Sequence, residues 1–218
     1  MSEQKDLARV QPQSNGKTVP PGYIKITEAL RTLLKEKEFE AITWAEIAEV
    51  GGVNQGLISK YFKSKRNLLH QVLKQYYEQN LSDAERAVNG VEGAFNKLRS
   101  LIRFNVHAFS KERVFARIVI LEVRNSPGYF QSDTYKLVKR SGNMMAEILE
   151  EGIRTGEIRD DISPRHMRRV IQGATEHLIL PGLLFDREIC PDELTDIVCT
   201  LVFPGLKKGG GQTPTTMH

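Results

Sequence analysis

The sequence is short of cysteine, of aromatic side chains and of long apolar runs, and each shortage removes a class of protein. Only two cysteines, Cys190 and Cys199, occur in 218 residues. Their spacing suits no metal, so both are expected as small core residues in a reducing compartment, without a disulfide or zinc framework. No apolar run approaches the roughly 18 residues of a membrane-spanning helix; the best is the interrupted stretch Leu178–Phe185. Residues 1–22 are polar and lack the apolar centre of a secretory leader, so a cytoplasmic location and no membrane partner are expected. A P-loop, an HExxH, a Gly-x-Ser-x-Gly elbow and a dinucleotide fingerprint are all missing, which argues against an enzyme. Gly51, Gly52 and Gly56 have a superficial likeness to a phosphate cradle, but no strand precedes them and no Lys-Ser/Thr ending follows. His166 and His177 sit about three turns apart on one expected helix, too far to share a metal. No cofactor and no metal are expected.

What is present is an ordinary globular composition, 40% hydrophobic and 27% charged, enough to bury a real core. The formal charge of +4 is mild, but its distribution is uneven. Between Glu49 and Glu78 there is no acidic residue, while Lys60, Lys63, Lys65, Arg66 and Lys74 fall in that interval. Such a run is either a chance feature of a solvated face or the mark of a polyanionic partner.

Periodicity throughout the middle of the chain is helical, with no convincing alternating strand. The division expected is a mobile arm over residues 1–22, a DNA-binding domain over 23–70, a helical domain over 71–206 and a loose tail over 207–218. Pro20, Pro21 and Gly22 precede a first helix that carries Ile26, Leu30, Leu33 and Leu34 on one face. Thr43-Trp44-Ala45-Glu46 reads as a capping box that opens a second helix. Gly51 and Gly52 break that helix, Asn54 caps a third and Ser64 a fourth. Further helices are expected over Gly93–Phe109, Glu112–Val123, Phe130–Thr155, Pro164–Leu180 and Pro191–Phe203, with Pro181-Gly182 kinking or ending the penultimate one. The fold class is all-α: a three-helix helix-turn-helix domain followed by a helical bundle for ligand binding and dimerisation.

The informative segment is Thr43–Lys65, a short capped helix, a glycine turn and a second short helix. Ile47 and Ala48 supply the buried side of the first short helix, Val53 packs inside the turn, and Leu57, Ile58, Tyr61 and Phe62 offer apolar surface, part of which must anchor the second. Gln55, Gly56, Ser59 and Lys60 are left outside, with Tyr61 at the edge. A helix end entering the major groove needs short or polar residues there, and Gln can bond an adenine edge through two hydrogen bonds. Asn54, Gln55, Gly56, Ser59, Lys60, Tyr61 and Lys65 are therefore candidate DNA contacts. Thr43 and Trp44 join them through the free N–H groups of a helix N-terminus.

The stretch Ile24–Leu69, above all ITWAEIAEVGGVNQGLISKYFKSKRNLL, resembles the DNA-binding region of the TetR family of regulators. Two departures stand out. Glu38 occupies a position where the family often has glycine before an aromatic, here Phe39, and Ser59 replaces the aromatic usual in the recognition helix. The resemblance implies a homodimer on double-stranded operator DNA, formed by the last two long helices. Their stripes, Met167, Val170, Ile171, Ala174 and Leu178, then Leu194, Ile197, Val198 and Leu201, suit either an interface or an internal core. Within the family, ILEVRNS, ILEEGIRTGEI and RRVIQGATEHL are similar to repressors of fatty-acid degradation that respond to long-chain acyl-CoA.

The middle helices are rich in large, adaptable apolar residues, most of which must be core. Among them Phe104, Phe115, Met144, Met145 and Ile148, with the polar His107, Arg124 and His177, are candidates for binding a small hydrophobic effector. The function expected is a repressor that such an effector releases from its operator. The rival reading is a helical adaptor that binds a protein partner without sequence-specific DNA binding.

Overall fold

The computed structural model describes residues 19–123 and 129–209. Among them the regular structure is helical, apart from one isolated antiparallel bridge between Ile158 and Lys207. The α-helices are α1 (Pro21–Leu33), α2 (Trp44–Gly51), α3 (Gln55–Tyr61), α4 (Lys65–Val88), α5 (Ala94–Lys111), α6 (Arg113–Arg117), α7 (Asp133–Thr155), α8 (Pro164–Leu184) and α9 (Pro191–Leu206). None is long and apolar enough to cross a membrane.

The helices fall into two compact units. The first comprises the chain up to Glu78 with the segment that ends at Leu137; the second comprises Gln79–Val123 and the chain from Val138 onward. The first unit thus runs past the expected division at residue 70, because α4 does not break there.

In the first unit, α1 starts on Pro20 and Pro21, whose missing N–H groups cost a helix nothing in its opening turn. It buries Ile26, Ala29, Leu30 and Leu33. Ile47 and Ala48 from α2, Ile58 from α3, and Leu68, Leu69, Val72 and Leu73 from α4 are likewise buried. Each fully buried Leu or Ile contributes about 1.5–3 kcal/mol by leaving water. The Glu38 position needs no glycine: its backbone is extended (φ −63°, ψ 142°), and the chain then makes a single 3-10 turn over Phe39–Ala41 that buries Phe39. The Ser64 hydroxyl caps α4 by accepting the Asn67 N–H at 3.1 Å.

In the second unit, α5, α8 and α9 pack against one another around Leu98, Leu101, Ile102, Met167, Ile171, Ile179, Leu183, Val198 and Leu206. Met145, Ile148 and Leu149 of α7 belong to the same core. Two expectations need correction. The helix expected over Glu112–Val123 is the short α6 followed by a π-helical turn, Ile118–Val123. Pro181 does not end α8, which runs on to Leu184. A proline in a helix forfeits its own N–H bond and crowds the carbonyl four residues back, but Pro181 lies in the last turn, where its carbonyl still accepts the Phe185 N–H at 3.0 Å. Cys199 is buried and Cys190 half-buried, both as free thiols.

His70 is a titratable group built into the first unit. The imidazole of His70 meets the Thr134 hydroxyl through Nδ1 at 3.1 Å. Burial, and secondarily the Arg66 cation, depress its pKa below the usual 6.5, against a smaller opposing pull from Asp133. An unfolded chain takes up this proton near 6.5 while the folded chain resists it. The His70 contribution is therefore complete above pH 6.5 and is lost as pH falls below it, with a limiting slope of about 1.4 kcal/mol per pH unit. His70→Gln should remove that part of the acid slope. Urea unfolding followed by Trp44 fluorescence at pH 7.5 and pH 5.5 checks this, because the single tryptophan lies in the same unit.

Candidate nucleic-acid interface

The geometry of α2 and α3 follows from three local devices. Thr43 closes a capping box: its hydroxyl accepts the Glu46 N–H at 3.3 Å, and Glu46 Oε2 accepts the Thr43 N–H at 2.8 Å. Lys37 also pairs with the Glu46 carboxylate. That pairing first, and the Thr43 N–H and hydroxyl next, push the carboxyl down to about 2. Gly52 then ends α2 in the left-handed region (φ 59°, ψ 41°), and the Val53 N–H returns to the Ala48 carbonyl at 3.0 Å. A side chain in that conformation costs about 1–2 kcal/mol. Asn54 caps α3 by accepting the Leu57 N–H at 2.7 Å.

These constraints give α3 a wet side and a dry side. Ile58 is 1% exposed and the following Phe62 is 2% exposed, whereas Gln55, Gly56, Ser59 and Lys60 are all exposed. The Ser59 hydroxyl donates to the Gln55 carbonyl at 3.2 Å, which keeps it within the helix's own outline. Tyr61 is half-buried, and its ring meets Tyr23 of α1 edge-on at 5.9 Å; Tyr23 also packs on Phe62 at 5.0 Å. The Tyr23 hydroxyl donates to Gln71 at 3.1 Å, and burial, with help from Glu78, pushes its pKa up to about 12. Tyr23 is the aromatic that fixes α3 against α1, and nothing in the spacing of the recognition segment itself points to it.

Lys65 stands apart from the other expected contacts. Its ammonium donates to the carbonyls of Phe39 (2.8 Å), Glu40 (3.0 Å) and Ile42 (2.8 Å), and lies 4.7 Å from the centre of the Phe39 ring. An ammonium has three donors, and all three are used. The phosphate role expected of Lys65 is therefore corrected to a structural one: it ties the 3-10 turn to the start of α4. The Thr43 N–H, expected to be free for a phosphate, is occupied by Glu46, and Trp44 is half-buried. By contrast Lys60, Lys63 and Arg66 are exposed and hold no carboxylate among the described residues. Lys63 and Arg66 were legible as members of the acid-free run.

Comparison with known proteins agrees with this geometry. Residues 26–72 match the model of the bacterial regulatory proteins of the tetR family, and residues 73–202 match that of the YsiA-like C-terminal region. The chain belongs to the TetR family. It is accordingly a ligand-responsive, DNA-binding transcriptional regulator. It is 25% identical over 186 residues to the fatty acid metabolism regulator protein of Bacillus subtilis, covering 85% of this chain and 96% of that one. The crystal structure of the transcriptional regulator FadR from Bacillus subtilis in complex with stearoyl-CoA superposes with a TM-score of 0.76 at 25% identity, covering 84% of this chain and 99% of that one. FadR from Bacillus halodurans shares the fold, with a TM-score of 0.77 at 22% identity over 88% of this chain and all of that one (100%).

In this TetR regulator the residues expected to bind an effector do not form one group. Phe115, Met145 and Ile148 are buried in the second unit, and Phe104 and Met144 are partly buried against its core. His107 and His177 are exposed, so neither faces the bundle interior as expected, and Arg124 lies outside the described residues. The apolar stripes of α8 and α9 also divide. Met167, Ile171 and Val198 are buried within their own protomer and are not available to a partner; Leu178 and Leu194 lean on the same core. Ala174 and Ile197 are half-buried, while Val170 and Leu201 are 60% and 75% exposed. Successive residues differ by about 100° around a helix, so Val170 faces out and Ile171 faces in. Leu184 and Phe185, also exposed, extend the outward apolar set beyond the residues the pattern suggested.

Replacing Lys65 with methionine should destabilise the first unit by about 2 kcal/mol, the scale of hydrogen bonds to a charged group. Urea unfolding read from Trp44 measures this. The dependence of DNA affinity on salt should be unchanged, since no phosphate contact is lost; an unaltered stability with a shallower salt slope would return Lys65 to the DNA.

Proposed function

We propose that the protein is a homodimeric repressor that reads operator DNA with the outward side of α3 and is released by an amphipathic acyl effector, with a long-chain acyl-CoA as the leading candidate. One observation carries the first half: Gln55, Gly56, Ser59 and Lys60 share the solvent side of a short helix whose other side is anchored by Ile58 and Phe62. Short and polar residues there let the backbone approach base edges. Gln55 suits an adenine, and Ser59 suits a base or a phosphate. Lys60, Lys63 and Arg66 supply cations for the phosphates, with Tyr61 at the rim, and Asn54 and the first N–H groups of α2 at Trp44 beside them. Because Ser59 stands where the family usually has an aromatic, the family's operator sequences do not carry over to this chain.

A single recognition helix makes too few contacts for a unique site, so two protomers are required, with half-sites about 34–36 Å apart. The outward apolar set Val170, Leu184, Phe185 and Leu201 supports a two-fold interface through α8 and α9. The effector reading is supported by the similarity to the Bacillus subtilis regulator bound to stearoyl-CoA. α4 is one continuous helix that contributes residues to both units, and it is the proposed route by which ligand binding alters the separation of the two α3 helices. Affinity for DNA then falls by the effector's differential affinity for the two arrangements and no further. A cytoplasmic location follows from this role.

Three measurements test these points. On an operator selected from random duplexes, stearoyl-CoA should release the protein in an anisotropy titration; unaltered binding would end the acyl-CoA reading and leave DNA recognition standing. Lys60→Ala and Lys63→Ala should each weaken DNA binding with stability unchanged, and each should lower the salt slope by about 1. Val170→Glu with Leu201→Glu should turn the dimer into a folded monomer by sedimentation, with operator affinity reduced at least about a hundredfold.

A further inference from the structure

We propose that Arg168 and Gln172 of α8, lying over Gly142 of α7, form an anion subsite that takes the phosphate or carboxylate head of the effector. This rests on the reading that the effector is an acyl compound with a charged end.

Arg168 occupies an unusual position for an arginine. It precedes Ile171 and Thr175 by one and two turns on the inward side of α8, and both of those residues are buried. Its Nε is buried and has no hydrogen-bond partner among the described residues. Several arginines of the same unit pair with carboxylates: Arg99 with Asp196, Arg103 with Asp192, Arg113 with Asp186, Arg140 with Glu85 and Arg159 with Asp161. Those pairs are largely at the surface, where pairing matters least. Arg168, where pairing matters most, has no such partner among the described residues, and a half-buried guanidinium that no carboxylate neutralises is a standing demand for an anion.

The neighbourhood strengthens that demand. Arg165 and Arg169 flank Arg168 on α8 and are exposed, and no acidic residue occurs in the sequence from Ile162 to Thr175. On α7 the stretch from Val138 to Ala146 is equally free of acid and carries Lys139 and Arg140, the latter paired with Glu85. The Arg168 and Gln172 side chains reach across to Gly142 of α7, which is buried. A Cβ there would lie 2.8 Å from Arg168 Nη1 and 3.7 Å from Gln172 Nε2. Two side chains with N–H donors thus end side by side over a backbone with no side chain of its own. A planar guanidinium beside an amide is the donor set that phosphate and carboxylate accept. Met144 and Met145 follow Gly142 on α7, half-buried and buried, so adaptable apolar surface for an acyl chain starts within one turn of the proposed charge site.

Phosphates of a coenzyme A thioester and the carboxylate of a free fatty acid would both satisfy the subsite, and calorimetry on the full-length protein separates them. Arg168→Met should weaken stearoyl-CoA binding by at least about tenfold and flatten its salt dependence, and Arg168→Lys should recover part of the loss. Gly142→Ala should keep the helix content and melting temperature, since alanine favours a helix and only a flexible side-chain end must move, yet should weaken binding by displacing the guanidinium. A loss confined to stearoyl-CoA assigns the head as phosphate; an equal loss for oleate assigns it as carboxylate. Wild type and Arg168→Met binding both ligands alike would overturn the subsite while the effector reading stands. If wild type binds neither ligand, the effector reading fails, and inorganic pyrophosphate then decides the subsite. A rise in wild-type melting temperature that Arg168→Met lacks supports it, and the absence of any such difference ends it.

Discussion

A helix of seven residues has little stability of its own, so the direction in which α3 points is imposed on it by what it is packed against. The decisive constraint is the burial of Ile58, and of Phe62 against Tyr23, with Gly52 setting the angle at which the chain arrives. With that side buried, Gln55, Gly56, Ser59 and Lys60 have nowhere to go but outward. Everything that makes this a DNA-binding surface depends on a few apolar contacts on the opposite side of the same helix.

Charge is arranged around that constraint in two different ways. Some charges are spent on architecture. Lys65 gives all its donors to the carbonyls of Phe39, Glu40 and Ile42, and Glu46 is shared between Lys37 and the Thr43 cap. Others are left uncommitted, namely Lys60, Lys63 and Arg66 near α3, and Arg165, Arg168 and Arg169 on α8. The uncommitted groups are the informative ones, because each falls in a stretch of sequence without an acidic residue. One cluster is suited to a polyphosphate backbone and the other to a single anionic head.

Much of this was legible in the chain. The capping box at Thr43, the caps at Asn54 and Ser64, the break at Gly52 and the outward set on α3 are all local, and local rules recover them because the residues involved lie within a turn or two of one another. What was not legible is long-range. Lys65 meets carbonyls more than twenty residues earlier, a contact that no spacing rule anticipates. The stripes of α8 and α9 carried enough apolar residues for a core and an interface at once, and only packing separates Ile171 from Val170. The continuation of α8 through Pro181 depended on its lying in the last turn. His107 and His177 looked inward by company and face outward by angle.

The most direct measurement of the central claim is a disulfide cross-link between α3 and DNA. In a background with Cys190 and Cys199 replaced by alanine, Ser59→Cys is mixed with operator duplexes carrying a thiol-tethered base in the major groove. Rapid, position-specific cross-links in two half-sites about one helical turn apart are expected. No cross-link at any tethered base, while a cysteine at exposed Asn96 of the second unit reacts instead, would contradict the account.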